Sequence, residues 1–125
     1  GVFGTWDETL ETCIKSNFLI DHEGFFKARL DRVNHMKILK AIWNQEVATL
    51  YPKIDCPTLI VAARRNANDD KENNFIQHKM RTVPIAGENI KKSKIVWFED
   101  SVHDIPLQHP KTLADCIVNF ASKLE

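Results

Sequence analysis

Two kinds of hydrophobic spacing divide the chain. Over residues 5–50 apolar side chains recur at three- and four-residue intervals, whereas residues 55–125 alternate continuous apolar runs with helical patterns. The first part therefore reads as helical throughout. Thr5 or Asp7 can cap a first helix over 6–16, and a second short helical stretch covers about 20–30, interrupted near Gly24. In the third, Met36, Leu39, Trp43, Val47 and Leu50 follow one another at spacings of 3, 4, 4 and 3, which places them on one helix face. Asn34 is the expected N-cap, and Pro52 follows the end.

In the second part, residues 57–63 (PTLIVAA) form an apolar run with no polar alternation beyond Thr58, the pattern of a strand buried on both faces in a parallel sheet. Residues 94–99 repeat it with Ile95, Val96, Trp97 and Phe98. Between them, residues 70–90 carry Phe75, Ile76, Met80, Val83 and Ile90 at helical spacings, and Pro84 with Gly87 predicts an end or a kink near Val83. Strand, helix, strand implies a right-handed parallel crossover. A closing helix over 110–124 has Pro110 in its first turn and Leu113, Ile117, Phe120 and Leu124 on one stripe. The expected class is α/β: a helical segment over 1–52, then a β-α-β-α unit with two parallel strands over 53–125.

Composition narrows the partners. Seventeen basic and seventeen acidic residues cancel, so the bulk charge favours neither nucleic acid nor an anionic membrane. Lys91, Lys92 and Lys94 read as a solvated loop. No apolar run approaches the roughly 20 residues of a membrane span, and the first residues lack the pattern of a signal peptide. Cys13, Cys56 and Cys116 make an odd count without CxxC spacing, which suits reduced thiols in a cytoplasmic protein, with Cys56 and Cys116 in packed positions. The five histidines show no HxxxH or HExxH spacing, so neither a metal nor another cofactor is expected.

The chemistry centres on His103, in IVWFEDSVHDIPLQHP between a strand and the last helix. An imidazole with an ordinary pKa of about 6.5 suits a general base near neutral pH. The plainer alternative is a loop histidine bonded to a carbonyl. Ser101 belongs to the same turn and has no nucleophile setting, so a hydrogen-bonding role is expected for it.

On IDCPTLIVAA (54–63), IVWFEDSVHDIPLQHP (95–110) and the terminal amphipathic helix, the chain resembles the C-terminal part of the α/β-hydrolase superfamily. Gly4, Trp6, Gly24, Arg29, Leu30, His35, Ile38, Leu39 and Trp43 are similar to the helical cap of bacillus-type α/β hydrolases of unassigned substrate. This implies a partial α/β-hydrolase fold, with residues 1–52 as cap and 53–125 as the end of the core. It further implies that His103 takes the proton of a serine hydroxyl in hydrolysis of a small ester or related acyl substrate. The nucleophile turn G-x-S-x-G is absent from the 125 residues, so the resemblance assigns it to an N-terminal half before Gly1 and expects the chain alone to be inactive.

The acid departs from the family pattern. Where many relatives carry Gly-x-x-Asp after the penultimate strand, residues 63–66 read Ala-Arg-Arg-Asn, and Asn66 cannot supply the charge. Asp69, or Asp70 beside it, can substitute from a longer loop, although both fit the N-terminus of the next helix better; some members place the acid earlier, before Gly1. Trp6, Phe25 and Trp43 are candidates for an acyl or alcohol pocket, or else core. In the parent fold the first strand would have a further neighbour, so its open edge predicts a homodimer or higher oligomer. A non-catalytic interaction or oligomerisation domain derived from the same fold is the alternative.

Overall fold

Asp7 starts the first helix. Its carboxylate accepts the Leu10 N–H at 2.7 Å, and α1 runs over Glu8–Lys15, with Glu8 and Glu11 in the first turn and Lys15 in the last, the order that the helix dipole favours. The computed structural model describes residues 6–65 and 70–124, so the alternative cap Thr5 lies outside the described residues. The chain divides into two compact units, one ending at Glu46 and the other running from Val47.

In the first unit the stretch expected to be a second helix is a β-hairpin. Strand β1 (Phe18–Ile20) pairs antiparallel with β2 (Phe26–Ala28), Ile20 opposite Phe26. Asp21 decides the outcome. Its carboxylate accepts the N–H groups of Glu23 and Phe25, each at 2.9 Å, and its carbonyl accepts the Gly24 N–H at 3.0 Å. Such local bonds compete with a helix, and Gly24 adopts φ +87°, which glycine reaches without strain. The Phe18 and Phe26 rings then meet edge-on, 6.1 Å between centroids. Arg29 closes the hairpin base, its Nε donating to the Ser16 carbonyl at 2.6 Å and its backbone N–H to the Asn17 carbonyl at 3.1 Å.

Helix α2 (Arg32–Trp43) is capped by Asp31 and not by Asn34: Asp31 accepts the Asn34 backbone N–H at 3.0 Å and its side-chain amide at 2.6 Å. The helix stops at Trp43, which removes Val47 and Leu50 from the expected face. Val47–Thr49 and Tyr51–Lys53 are instead separate single 3₁₀ turns, with Pro52 inside the second. The apolar stripe of α2 is not buried within its unit; Trp43 is 89% exposed, and among the described residues Leu10 is the buried hydrophobic of this unit.

The second unit is mixed α/β. Strands β3 (Thr58–Ala63) and β4 (Ser93–Phe98) pair in parallel, from Thr58 opposite Ser93 to Ala63 opposite Phe98. Parallel pairing needs a long crossover, here helix α3 (Asp70–Asn89). Burial rises along the strands: Ala62, Ala63 and Phe98 are buried while Thr58 and Ser93 are half-buried, so β3 is not covered on both faces along its whole length. Its end joins a small core of Ala63, Phe98 and Ile105, flanked by Val61, Val96, Leu113 and Cys116.

Pro84 does not end α3. It leaves the Met80 carbonyl without its helical N–H, yet the helix continues to Asn89 and delivers Ile90 to a buried position. Gly87 serves close approach, not termination. A Cβ there would lie 2.5 Å from Ile95 Cδ1, and the Ser93 hydroxyl donates to the Gly87 carbonyl at 2.6 Å. After β4 come the short α4 (Ile105–Gln108) and α5 (Pro110–Ala121), the latter opened by Pro110 as expected and ending before 124. Cys116 packs against the core, but Cys56, expected to be packed, is exposed. Among the described residues no helix is long and apolar enough to cross a membrane.

Candidate functional site

The C-terminal ends of β3 and β4 lie side by side, and the crevice beyond such strand ends is where parallel α/β sheets take ligands. Backbone bonds tie the two exits together: the Arg64 N–H donates to the Phe98 carbonyl, and the Ser101 N–H to the Arg64 carbonyl, each at 3.0 Å. A cleft of about 390 Å³ opens there, walled by Ala63 to Arg65, by Glu72, Phe75, Ile76 and Lys79 of α3, and by Ser101 to His103.

The turn that carries His103 is held from behind. Asp100 adopts φ +51°, and Ser101 is 2% exposed, its hydroxyl 3.1 Å from both the Val102 carbonyl and Gln108 Oε1. The single hydroxyl proton serves one of these acceptors at a time. Gln108 Oε1 also accepts the Val102 N–H at 2.9 Å, while its Nε2 donates to the Asp100 carbonyl at 3.1 Å. One amide therefore grips three consecutive residues. Beyond the grip, His103 is open to solvent, its side chain 87% exposed and its Nε2 3.3 Å from Asp104 Oδ1. Ser101 is thus a buried hydrogen-bonding residue.

Charge surrounds the cleft in pairs, with one exception. Arg64 binds Glu99 through Nε and Nη2 at 2.7 and 2.6 Å, and its guanidinium stacks on Trp97, 5.1 Å from the ring centroid. These bonds hold the Glu99 carboxyl below, and the Arg64 guanidinium above, their ordinary ranges. Arg65 binds Glu72. Lys79 is the exception: its ammonium donates to the Ala63 carbonyl and lies 5.8 Å from the Phe75 ring centroid. Burial pushes its pKa below the usual lysine range, and among the described residues no carboxylate pairs with it.

Of the residues singled out in the sequence, His103 is at this cleft. Asp69 and Asn66 lie outside the described residues, and Asp70 opens α3. Trp6, Phe25 and Trp43 belong to the first unit, where all three are exposed. Gln108, Lys79 and the Arg64–Glu99 pair escaped the sequence reading. Paired arginines directly after an apolar strand were a usable signal; Gln108 and Lys79 gave none, since each matters through contacts across the fold. Elsewhere, His109 Nε2 is buried without a partner among the described residues, its ring 6.0 Å from that of Phe98, beside a second cleft lined also by Thr112 and Cys116. The described residues contain no group of three or more His, Cys, Asp or Glu able to hold a metal ion.

An exposed imidazole on a cleft that also holds an ammonium can accept a proton from a group delivered there, and among the described residues no serine or cysteine is bonded to it. No protein-family model, curated protein or solved structure matches this chain.

Proposed function

We propose that this chain is the cap and histidine portion of a serine hydrolase of the α/β-hydrolase type, with His103 as general base in hydrolysis of an ester or related acyl substrate. The observation that carries this reading is His103 itself. It stands on a turn directly after the C-terminal end of a parallel strand, on an open cleft, with the turn gripped by Gln108. The serine comes from an N-terminal segment containing the nucleophile turn, since G-x-S-x-G does not occur among these residues, and the chain alone is inactive. Asp69, which falls between β3 and α3 in the sequence, is the proposed acid. No cofactor takes part. The free cysteines suit the cytoplasm, where thiols stay reduced.

Fluorophosphonate labelling of the protein joined to its upstream coding segment tests the reading. Rapid labelling of one serine, lost in His103→Ala, supports it; labelling that His103→Ala leaves unchanged contradicts it.

A second reading, a non-catalytic interaction or oligomerisation domain, is favoured by the first unit. Ile20, Phe25, Phe26, Val33, Ile42 and Trp43 are all exposed there, more apolar surface than a small isolated unit ordinarily shows. Under this reading the chain self-associates as a homodimer or larger assembly. A monomer by light scattering at micromolar concentration contradicts that assembly.

A further inference from the structure

Among the described residues Lys79 is a cation without a carboxylate, in a recess whose exposed lining is largely apolar. An ammonium has three N–H donors, and the Ala63 carbonyl takes one of them. Arg64 and Arg65 are engaged by Glu99 and Glu72, so the described carboxylate that lines the cleft, Glu72, is already bound to another cation. The apolar part of the cleft wall is Phe75 and Ile76 on the helix of Lys79, Ala63 at the strand end, and Val102; the Arg65–Glu72 pair, Arg64, Ser101 and His103 complete it. A partly buried charge gains from an opposite charge that reaches it, and the apolar part of the lining accepts a hydrocarbon chain.

We propose that this cleft binds a carboxylate carrying a short aliphatic chain, its charged end on Lys79 and its chain against Phe75, Ile76 and Val102. A cleft of about 390 Å³ accommodates a chain of about six carbons. The assignment shares the cleft with the hydrolase reading but rests on Lys79 and the apolar walls, so each can fail without the other. If both hold, the ligand is an acid product or a substrate with a remote carboxylate.

The test is an NMR titration of the ¹⁵N-labelled 125-residue chain with sodium hexanoate, hexanamide and inorganic phosphate, in the wild type and in Lys79→Met and Lys79→Arg. Saturable hexanoate binding in the millimolar range is expected, with shifts at Phe75, Ile76, Val102 and His103. Hexanamide, which keeps the chain without the charge, binds about five- to tenfold more weakly, as does phosphate, which keeps the charge without the chain. Lys79→Met weakens hexanoate by a similar factor, and Lys79→Arg restores most of the loss. Equal affinity for hexanoate and hexanamide, or no saturation by 50 mM hexanoate, overturns the proposal. If Lys79→Met does not fold, judged by collapse of its amide dispersion, the comparison of hexanoate with hexanamide in the wild type decides alone.

Discussion

Replacing Gln108 with alanine removes three hydrogen bonds at once: to the Val102 N–H at 2.9 Å, to the Ser101 hydroxyl at 3.1 Å, and from Nε2 to the Asp100 carbonyl at 3.1 Å. A net intramolecular hydrogen bond contributes about 1 kcal/mol. The Ser101 hydroxyl keeps the Val102 carbonyl as an alternative acceptor, so its share largely survives. The two remaining bonds set the loss at about 2 kcal/mol. The damage is local first, because Asp100 at φ +51° gains by relaxing once its carbonyl is released. Urea unfolding measures the global loss, and amide exchange at Val102 measures the opening of the turn, expected to speed up about thirtyfold for 2 kcal/mol. Gln108→Glu keeps an oxygen acceptor for the Val102 N–H and the Ser101 hydroxyl and loses the Nε2 donor to the Asp100 carbonyl, so about half the effect is expected. A Gln108→Ala protein within about 0.5 kcal/mol of the wild type, with unaltered Val102 exchange, would show that the amide does not hold the turn.

Three further outcomes follow from the packing and the charges. Gly87→Ala drives a methyl into Ile95 Cδ1 and destabilises the chain by about 1 kcal/mol, after the helix-propensity gain has offset part of the clash. In an Ile95→Val background, which lacks that atom, the same change is neutral or stabilising; urea midpoints of the four proteins check it. Pro84→Ala returns an N–H to the Met80 carbonyl and raises stability by about 1–2 kcal/mol in the same assay, the sign reversing if the proline ring packs better than the restored bond. Glu99 has its pKa depressed by Arg64, so its contribution is present above the unfolded value of 4.5 and is lost as pH falls through the lower folded value. In Arg64→Ala the Glu99 titration midpoint, followed by carbon NMR, rises toward 4.5, and no movement would mean that the pair is not formed in solution.

The α/β half was legible because continuous apolar runs such as Leu59–Ile60–Val61 and Ile95–Val96–Trp97 leave no other economical arrangement than buried strands joined by a helix. The hairpin was not. Its strands are three residues long, too short to display a period of two, and Phe25, Phe26 and Leu30 imitate helical spacing. The informative residues were Asp21 and Gly24, a turn former and a left-handed position three apart, and a helical frame hid their meaning. Pro84 misled for a related reason: one missing hydrogen bond weighs less than the contacts that α3 makes beyond it, of which the close approach at Gly87 is the clearest.

At the site, the position of His103 could be read from strand, turn and helix order alone. What surrounds it could not. Lys79 looks like any lysine of an amphipathic helix until the end of β3 is set against it, and Gln108 gains its role only when α4 folds back over the turn.

The hydrolase reading stands or falls on the protonic work of His103. In the protein joined to its upstream segment, p-nitrophenyl butyrate turnover is expected to fall by about a thousandfold or more in kcat on His103→Ala, with KM little changed. An unchanged kcat in that variant, with the fold intact, would contradict the account.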